Sequence, residues 1–250
     1  MTKPVVWITG ASSGIGRALA VRMAADGWTV AASARGADAL AGLAAGPHAG
    51  RILPVPLDVT DHAACREAVA RIESEVGPIA TAVLAAGTHT PVDAGSFSVP
   101  DIRRLVEVNL MGVVHAVDAV LPGMIARSAG RIAIVSSVAG WRGLPTSAGY
   151  GATKAGLINF AESLKFDLDH FGIVTQVVCP GFVRTPLTDR NPFPMPFLME
   201  PEDAAARLYR GLQGDAFEIA FPRRFAAILR VLGLLPDRLY FPLLHRLTGK

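Results

Sequence analysis

Cysteine is scarce in this chain of 250 residues: Cys65 and Cys179 stand far apart, with no Cys-x-x-Cys pair and no Cys/His cluster. That excludes a disulfide framework and points to no zinc or other metal site, so the thiols are expected reduced, as in the cytoplasm. Charged residues are also few, at 18% against 51% hydrophobic. This excludes disorder as the main character and leaves enough apolar side chains for a full-sized core. Long hydrophobic runs are missing, because no segment approaches the ~18 uninterrupted apolar residues of a membrane span. The N-terminus enters Val5-Val6-Trp7-Ile8 almost at once, so no secretory leader is expected. No basic groove interleaved with aromatics occurs, so no nucleic-acid partner is expected. The net charge of +3 is concentrated at one end: residues 222–250 carry six Lys/Arg against Asp237 alone.

What is there is alternation. Short apolar runs at 4–8, 29–34, 51–57, 79–85, 130–136 and 174–179 alternate with helix-like stretches at 14–26, 37–45, 61–76, 101–127 and 150–170. The runs are nearly continuous Val/Ile/Ala/Leu, as expected for strands covered on both faces. The class is α/β: a doubly wound parallel sheet with helices on both faces, in a single domain over 1–250.

The first strand runs into Thr9-Gly10-Ala11-Ser12-Ser13-Gly14-Ile15-Gly16 and then a helix. Glycines at a strand-to-helix turn let backbone N–H groups approach an anionic pyrophosphate at the positive end of the helix. The spacing is G-x-x-x-G-x-G instead of the commoner G-x-G-x-x-G, and alone such a turn could be ordinary loop chemistry. About 20 residues on, where an acid would read a ribose hydroxyl, the second strand ends Ser33-Ala34-Arg35. Arg35 offers a phosphate-binding fork, which favours NADP (NADPH) over NAD, and Arg17 could share that phosphate. In Leu57-Asp58-Val59 the acid can meet an adenine amino group or cap the helix that follows.

Tyr150 and Lys154 lie four residues apart, on one face at the start of a helix. A cation near a phenol favours its phenolate, so the pair is expected to exchange a proton near neutrality. Thirteen residues before Tyr150 stands Ser137, at the end of a strand, and Asn109 lies inside the preceding long helix. Ser136 is the neighbouring hydroxyl, but strand alternation sends it to the opposite face.

With these residues the chain resembles the short-chain dehydrogenase/reductase family, whose fold is Rossmann-like. The match rests on Thr9 to Gly16, Asp58, Asn109, Ser137, Tyr150, Lys154 and the turn Pro180-Gly181-Phe182-Val183-Arg184-Thr185, over roughly 4–186. The resemblance implies Tyr150 as general acid or base and Lys154 as the group that lowers its pKa and binds the nicotinamide ribose. It implies Ser137 as holder of the substrate oxygen, and Asn109, interrupting the helix, as support for a water in a proton relay. The turn through Pro180 and Gly181 would border the cofactor and let the Val183 backbone and the Thr185 hydroxyl engage the nicotinamide carboxamide. Where members often have Asn-Asn-Ala-Gly, this chain has Leu84-Ala85-Ala86-Gly87. Ala86 and Gly87 are kept, so the close backbone approach to the cofactor, Ala85 included, survives, while the lost asparagines put a sheet-stabilising hydrogen bond in doubt. His89 and His115 are read as structural or rim residues.

The expected reaction is hydride transfer between NADPH and a ketone or aldehyde, or the reverse from a secondary alcohol. The alternative is a non-catalytic NADP-binding regulator or scaffold. The segment 186–200 corresponds to the family's substrate lid and is rich in Pro, Phe and Met, including Phe193 and Phe197. Either it meets an apolar or lipid-like substrate, or it packs on the core or a neighbouring subunit. Trp141 and Leu144 are expected to line the same pocket. The basic, amphipathic extension 221–250 suits peripheral contact with a membrane, a cover over the cleft, or a subunit interface. The two long helices at 101–127 and 150–170 match the family's usual dimer-forming pair, so a homodimer or homotetramer is expected, in the cytoplasm or at a membrane surface.

Overall fold

The structure, a computed structural model, describes residues 4–190 and 195–249. Seven parallel strands form one sheet in the order β3-β2-β1-β4-β5-β6-β7. They are β1 (Val5–Thr9), β2 (Thr29–Ala34), β3 (Ile52–Pro56), β4 (Ile79–Leu84), β5 (Gly130–Val135), β6 (Ile173–Pro180) and β7 (Glu218–Phe221). The order reverses at β1, whose Thr9 pairs with Ser33 on one side and Leu84 on the other. A doubly wound sheet opens a crevice at that point, outside the carboxyl ends of its strands.

Both faces are buried because successive residues of each strand enter opposite layers. Val6 and Ile8 pack with Leu19 and Met23 of α1 (Gly14–Ala25), Leu40 of α2 (Ala37–Ala44) and Leu208 of α7 (Pro201–Gly211). Val5 and Trp7 pack against the other layer, formed by α3 (His62–Val76), α5 (Gly112–Arg127) and α6 (Ala148–Leu168) through Ile72, Val117 and Leu157.

The stretch read as one helix over 101–127 is three pieces: α4 (Val99–Leu105), a wide π turn (Val106–Met111) and α5. The π turn centres on Asn109, as the expected interruption required. By length and hydropathy the run Val99–Arg127 could cross a membrane. Here Val113, Val117, Val120 and Met124 bury their side chains in the core.

Strand β7 and the helices after β6 were not anticipated. Four residues, Glu-Ile-Ala-Phe, are too short to show a strand pattern, and β7 exists because it pairs with β6 from Val177↔Glu218 to Pro180↔Phe221. Helix α7 did carry a local start signal, with Pro201 in the first turn followed by Glu202 and Asp203. The basic extension folds as a hairpin of α8 (Arg223–Gly233) and α9 (Asp237–Thr248).

Candidate active site

The carboxyl ends of β1, β2, β4, β5 and β6 surround a cleft of about 500 Å³. Its floor is the glycine turn. Gly10 has φ +73°, and a Cβ there would lie 2.7 Å from the Ala85 carbonyl oxygen. Gly14 has φ +53°, and its Cβ would lie 2.7 Å from Thr185 Cγ2, while a Cβ on Gly16 would run into the Gly10 carbonyl. Ser13 caps α1 without a side-chain hydrogen bond. Glycines thus let the turn pack tightly against Ala85, Thr185 and itself, and Ser13, Gly14, Ile15 and Gly16 at the start of α1 line the cleft, which fits a bound pyrophosphate. Ser12, Ile15, Ala86 and Gly87 complete this part of the wall. The Ala86 N–H donates to Thr9 Oγ1 at 3.2 Å, so a threonine ties the end of β1 to the segment where asparagines are missing.

At the β2 end, Arg35 is exposed and lines the cleft with Asp58 and Val59. Asp58 Oδ1 accepts from the Thr60 N–H at 3.0 Å and the Thr60 hydroxyl at 2.8 Å. The Thr60 N–H, with the Thr60 hydroxyl and the Arg35 charge, holds its carboxyl below the usual range. Helix α3 is capped instead by Asp61, which accepts from the Ala64 N–H. Of the two readings of Asp58, the helix cap is thus excluded. Arg17 is exposed and not among the residues lining the cleft.

At the β5 end, Ser137, Tyr150 and Lys154 come together. Ser137 Oγ accepts from the Ala139 N–H at 3.1 Å and donates to the Pro180 carbonyl at 3.4 Å, and it is near enough to Tyr150 to favour the phenolate. Ser136, just beyond the end of β5, also borders the cleft, but its hydroxyl is committed to the Lys154 carbonyl at 2.8 Å. Lys154 Nζ is buried, donates to the Val135 carbonyl at 2.8 Å, and lies 5.6 Å from the Tyr150 ring centre. Asn109 is fully buried. It accepts from the Thr88 N–H at 2.7 Å and donates to the Thr88 carbonyl at 3.0 Å and to Thr153 Oγ1 at 3.3 Å. Its side chain is therefore committed to fastening the loop after β4 to α6.

The expectation that Lys154 brings Tyr150 towards neutrality is corrected by burial. Desolvation pushes the Tyr150 phenol up to about 12, against the Ser137 hydrogen bond that favours the phenolate. It pushes the Lys154 ammonium down to about 8. Desolvation disfavours whichever form is charged and is the largest cause of both shifts.

Pro180, Gly181, Val183 and Thr185 line the cleft after β6. Gly181 donates to the Phe221 carbonyl at 2.7 Å, and Val183 pairs with Met199. In the lid segment, Met199 is buried on the core while Phe197 is half exposed and its ring lies 5.8 Å from that of Phe225. Phe193 lies outside the described residues.

Trp141 and Leu144 are corrected as pocket residues. They border a separate small hollow with Val138, Leu229, Leu232, Tyr240 and Leu244, because the α8–α9 hairpin folds over them. The Arg230 guanidinium covers the Trp141 ring at 4.4 Å. Sequence reasoning missed Thr88, Arg104, Val108 and Thr188, which line the cleft, and undervalued His89. The buried His89 ring meets Tyr150 edge-on at 4.7 Å. His115 instead hydrogen-bonds the Val59 carbonyl and stacks on His62. Val108 adjoins Asn109 and was within reach of that motif, whereas Arg104 carries no local signal.

The family model for short chain dehydrogenases matches residues 4–192. The chain belongs to the short-chain dehydrogenase/reductase family. It is similar to an uncharacterized oxidoreductase of Myxococcus xanthus, 39% identical over 243 residues, covering 96% of each chain. It is 34% identical over 219 residues to a 3-oxoacyl-[acyl-carrier-protein] reductase of Thermotoga maritima, covering 86% of this chain and 87% of that one. Among solved structures it resembles an actinorhodin polyketide ketoreductase variant with NADPH, at TM-score 0.79 and 27% identity over 88% of this chain and 95% of that one. As a short-chain dehydrogenase/reductase the protein is an enzyme, an NAD(P)-dependent oxidoreductase interconverting carbonyl and alcohol groups of small molecules.

Proposed function

We propose that the protein is an NADP-dependent reductase of apolar, lipid-like ketones or aldehydes, with Tyr150, Ser137, Lys154 and Asn109 as its working residues. The observation that carries the reading is the meeting of Ser137, Tyr150 and Lys154 on the wall of a cleft whose far end holds Arg35 where an acid would favour NAD.

The turn from Gly10 to Gly16 would hold the pyrophosphate, Arg35 the adenosine phosphate, Asp58 the adenine amino group, Ala85 to Gly87 the adjoining cofactor backbone, and Val183 with Thr185 the carboxamide. When bound, NADPH supplies the hydride that reduces the carbonyl carbon. Tyr150 donates its phenolic proton to the carbonyl oxygen, and Ser137 Oγ hydrogen-bonds the same oxygen as it gains charge. One hydride and one proton are thus added across C=O. Lys154 has one N–H on Val135 O and two left for the ribose. Its charge opposes the cost of the phenolate left behind. Asn109 holds α6 in place beneath Tyr150 through Thr153.

Support for an apolar substrate comes from the lid at 186–200, where Leu187 lines the cleft and Phe197 faces partly outward. The acyl-chain substrate named for the Thermotoga relative points the same way. The reading places the enzyme in the cytoplasm as a homodimer or homotetramer built on α5 and α6, where Phe166 is 77% exposed.

The test is fluorescence titration with NADPH and NADH, in wild type and Arg35→Ala. NADPH binding weakened tenfold or more in the variant, with NADH unchanged, is expected from loss of an arginine–phosphate pair worth about 1.5–3 kcal/mol. Equal NADH and NADPH affinity in wild type would overturn the cofactor reading. An NADPH-oxidation screen of apolar against short polar carbonyls tests the substrate class.

A further inference from the structure

We propose that the outward face of the α8–α9 hairpin is a docking surface for an anionic lipid bilayer. The inner side of the hairpin is accounted for. Phe225, Ala226, Tyr240 and Leu244 are buried, and Tyr240 donates to the Gly143 carbonyl at 2.7 Å. Arg142 donates to the Gly233 and Leu235 carbonyls and pairs with Asp237. The outer side of α8 remains apolar. Ile228, Val231 and Leu234 are exposed there, Val231 at 65% and Leu234 at 85%, while on α9 the exposed Leu239 and Phe241 flank the buried Tyr240, and Arg238 and Arg246 lie on the far side. Such exposure costs stability in water and is recovered when an apolar phase covers it.

The charge beside this face selects the occupant. On α8, helical spacing places Arg223, Ala227, Val231 and Leu234 along one line, and Arg224, Ile228 and Val231 along the next. An apolar stripe flanked by arginines is the pattern of a helix lying in a membrane interface. Arg223 and Arg224 occupy the first turn of α8, with no acid there, and Arg238 occupies the first turn of α9. A cation at a helix N-terminus opposes the macrodipole, so these residues weaken their own helices. None of Arg223, Arg224, Arg238 and Arg246 forms an ion pair among the described residues. Phosphate and carboxylate headgroups would neutralise them while the acyl region receives Val231 and Leu234. A second copy of the chain fits less well, because a two-fold contact would set these arginines against their equivalents.

The surface requires no assumption about substrate or cofactor. It lies on the back of the hairpin whose inner side holds Trp141 and Arg142, in the segment between Ser137 and Tyr150.

The experiment is flotation of the full chain with vesicles of phosphatidylcholine alone or with about 30% phosphatidylserine. It is repeated at high salt and with Arg223→Glu/Arg224→Glu and Val231→Asp/Leu234→Asp, all at exposed positions. Thermal melting and cofactor binding confirm that the variants fold. Expected are binding to the anionic vesicles only, release by salt, and a loss of about fivefold or more per arginine reversed. No flotation, equal binding to neutral vesicles, or variants that bind like wild type would each overturn the proposal. Sedimentation gives a further overturning result: a wild-type oligomer that Leu234→Asp dissociates, with no vesicle binding, makes this face a subunit interface.

Discussion

Lys154 Nζ is bound to the Val135 carbonyl at 2.8 Å and stands 5.6 Å from the centre of the Tyr150 ring. Both groups are desolvated, which drives their pKa values in opposite directions, to about 8 for the lysine and about 12 for the tyrosine. In the free protein at neutral pH the phenol is therefore protonated, the state that reduction needs.

The rate of carbonyl reduction should be flat through neutrality and fall as pH rises through about 8, where Lys154 loses its proton. A pH profile of single-turnover reduction checks this. A rate that stays level to pH ~10, the ordinary lysine range, would remove Lys154 from the protonated role assigned to it.

Tyr150→Phe should lower turnover by about 10²–10⁴-fold, the usual contribution of a positioned acid, while leaving cofactor affinity intact. Steady-state rates and fluorescence titration on the same preparation separate the two effects. Full turnover in this variant would overturn the catalytic assignment.

Lys154→Met should stabilise the fold at neutral pH while abolishing activity. The unfolded chain binds this proton up to about pH 10.5 and the folded one only to about 8, so between those values stability rises with pH. Below pH 8 the full cost of the buried charge is present, about 3 kcal/mol at most. Removing it is offset by about 1 kcal/mol for the orphaned Val135 carbonyl. Thermal melting should show a gain at pH 7 that shrinks towards pH 10; a loss at pH 7 would show that Lys154 is well solvated.

Asn109→Ala leaves the Thr88 N–H and carbonyl without partners beside the π turn, of which Asn109 is the buried residue. Denaturant unfolding should report a loss of about 2–4 kcal/mol, and Asn109→Asp, which still accepts from the Thr88 N–H, a smaller one. Equal losses would mean that the acceptor role contributes little.

Arg142→Ala removes the guanidinium that satisfies the Gly233 and Leu235 carbonyls and lies 3.8 Å from the Tyr240 ring centre. The Asp237 carboxylate is exposed and adds little. Limited trypsin digestion should cut the hairpin at Arg230 or Arg238 faster, with cofactor affinity unchanged. An unchanged digestion rate would show that apolar packing alone holds the hairpin.

What the sequence determined by itself is local. Continuous apolar runs state that both sheet faces are buried, and glycines at 10, 14 and 16 state where backbone and ligand approach closely, because period and steric size act within a few residues. Tyr150 and Lys154 share a face by helical spacing alone. The tertiary structure decided whatever depends on neighbours distant in sequence. Burial by several elements, instead of the pairing of Tyr150 with Lys154, sets the two pKa values. The pairing of Val177 with Glu218 makes a strand of a segment too short to announce itself. Trp141 and Leu144, a few residues after Ser137 in sequence, are covered by helices some 90 residues later, since Arg142 bonds Gly233 and Leu235 across separations of 91 and 93. Pattern reveals which side chains seek burial, but only the folded chain selects what covers them.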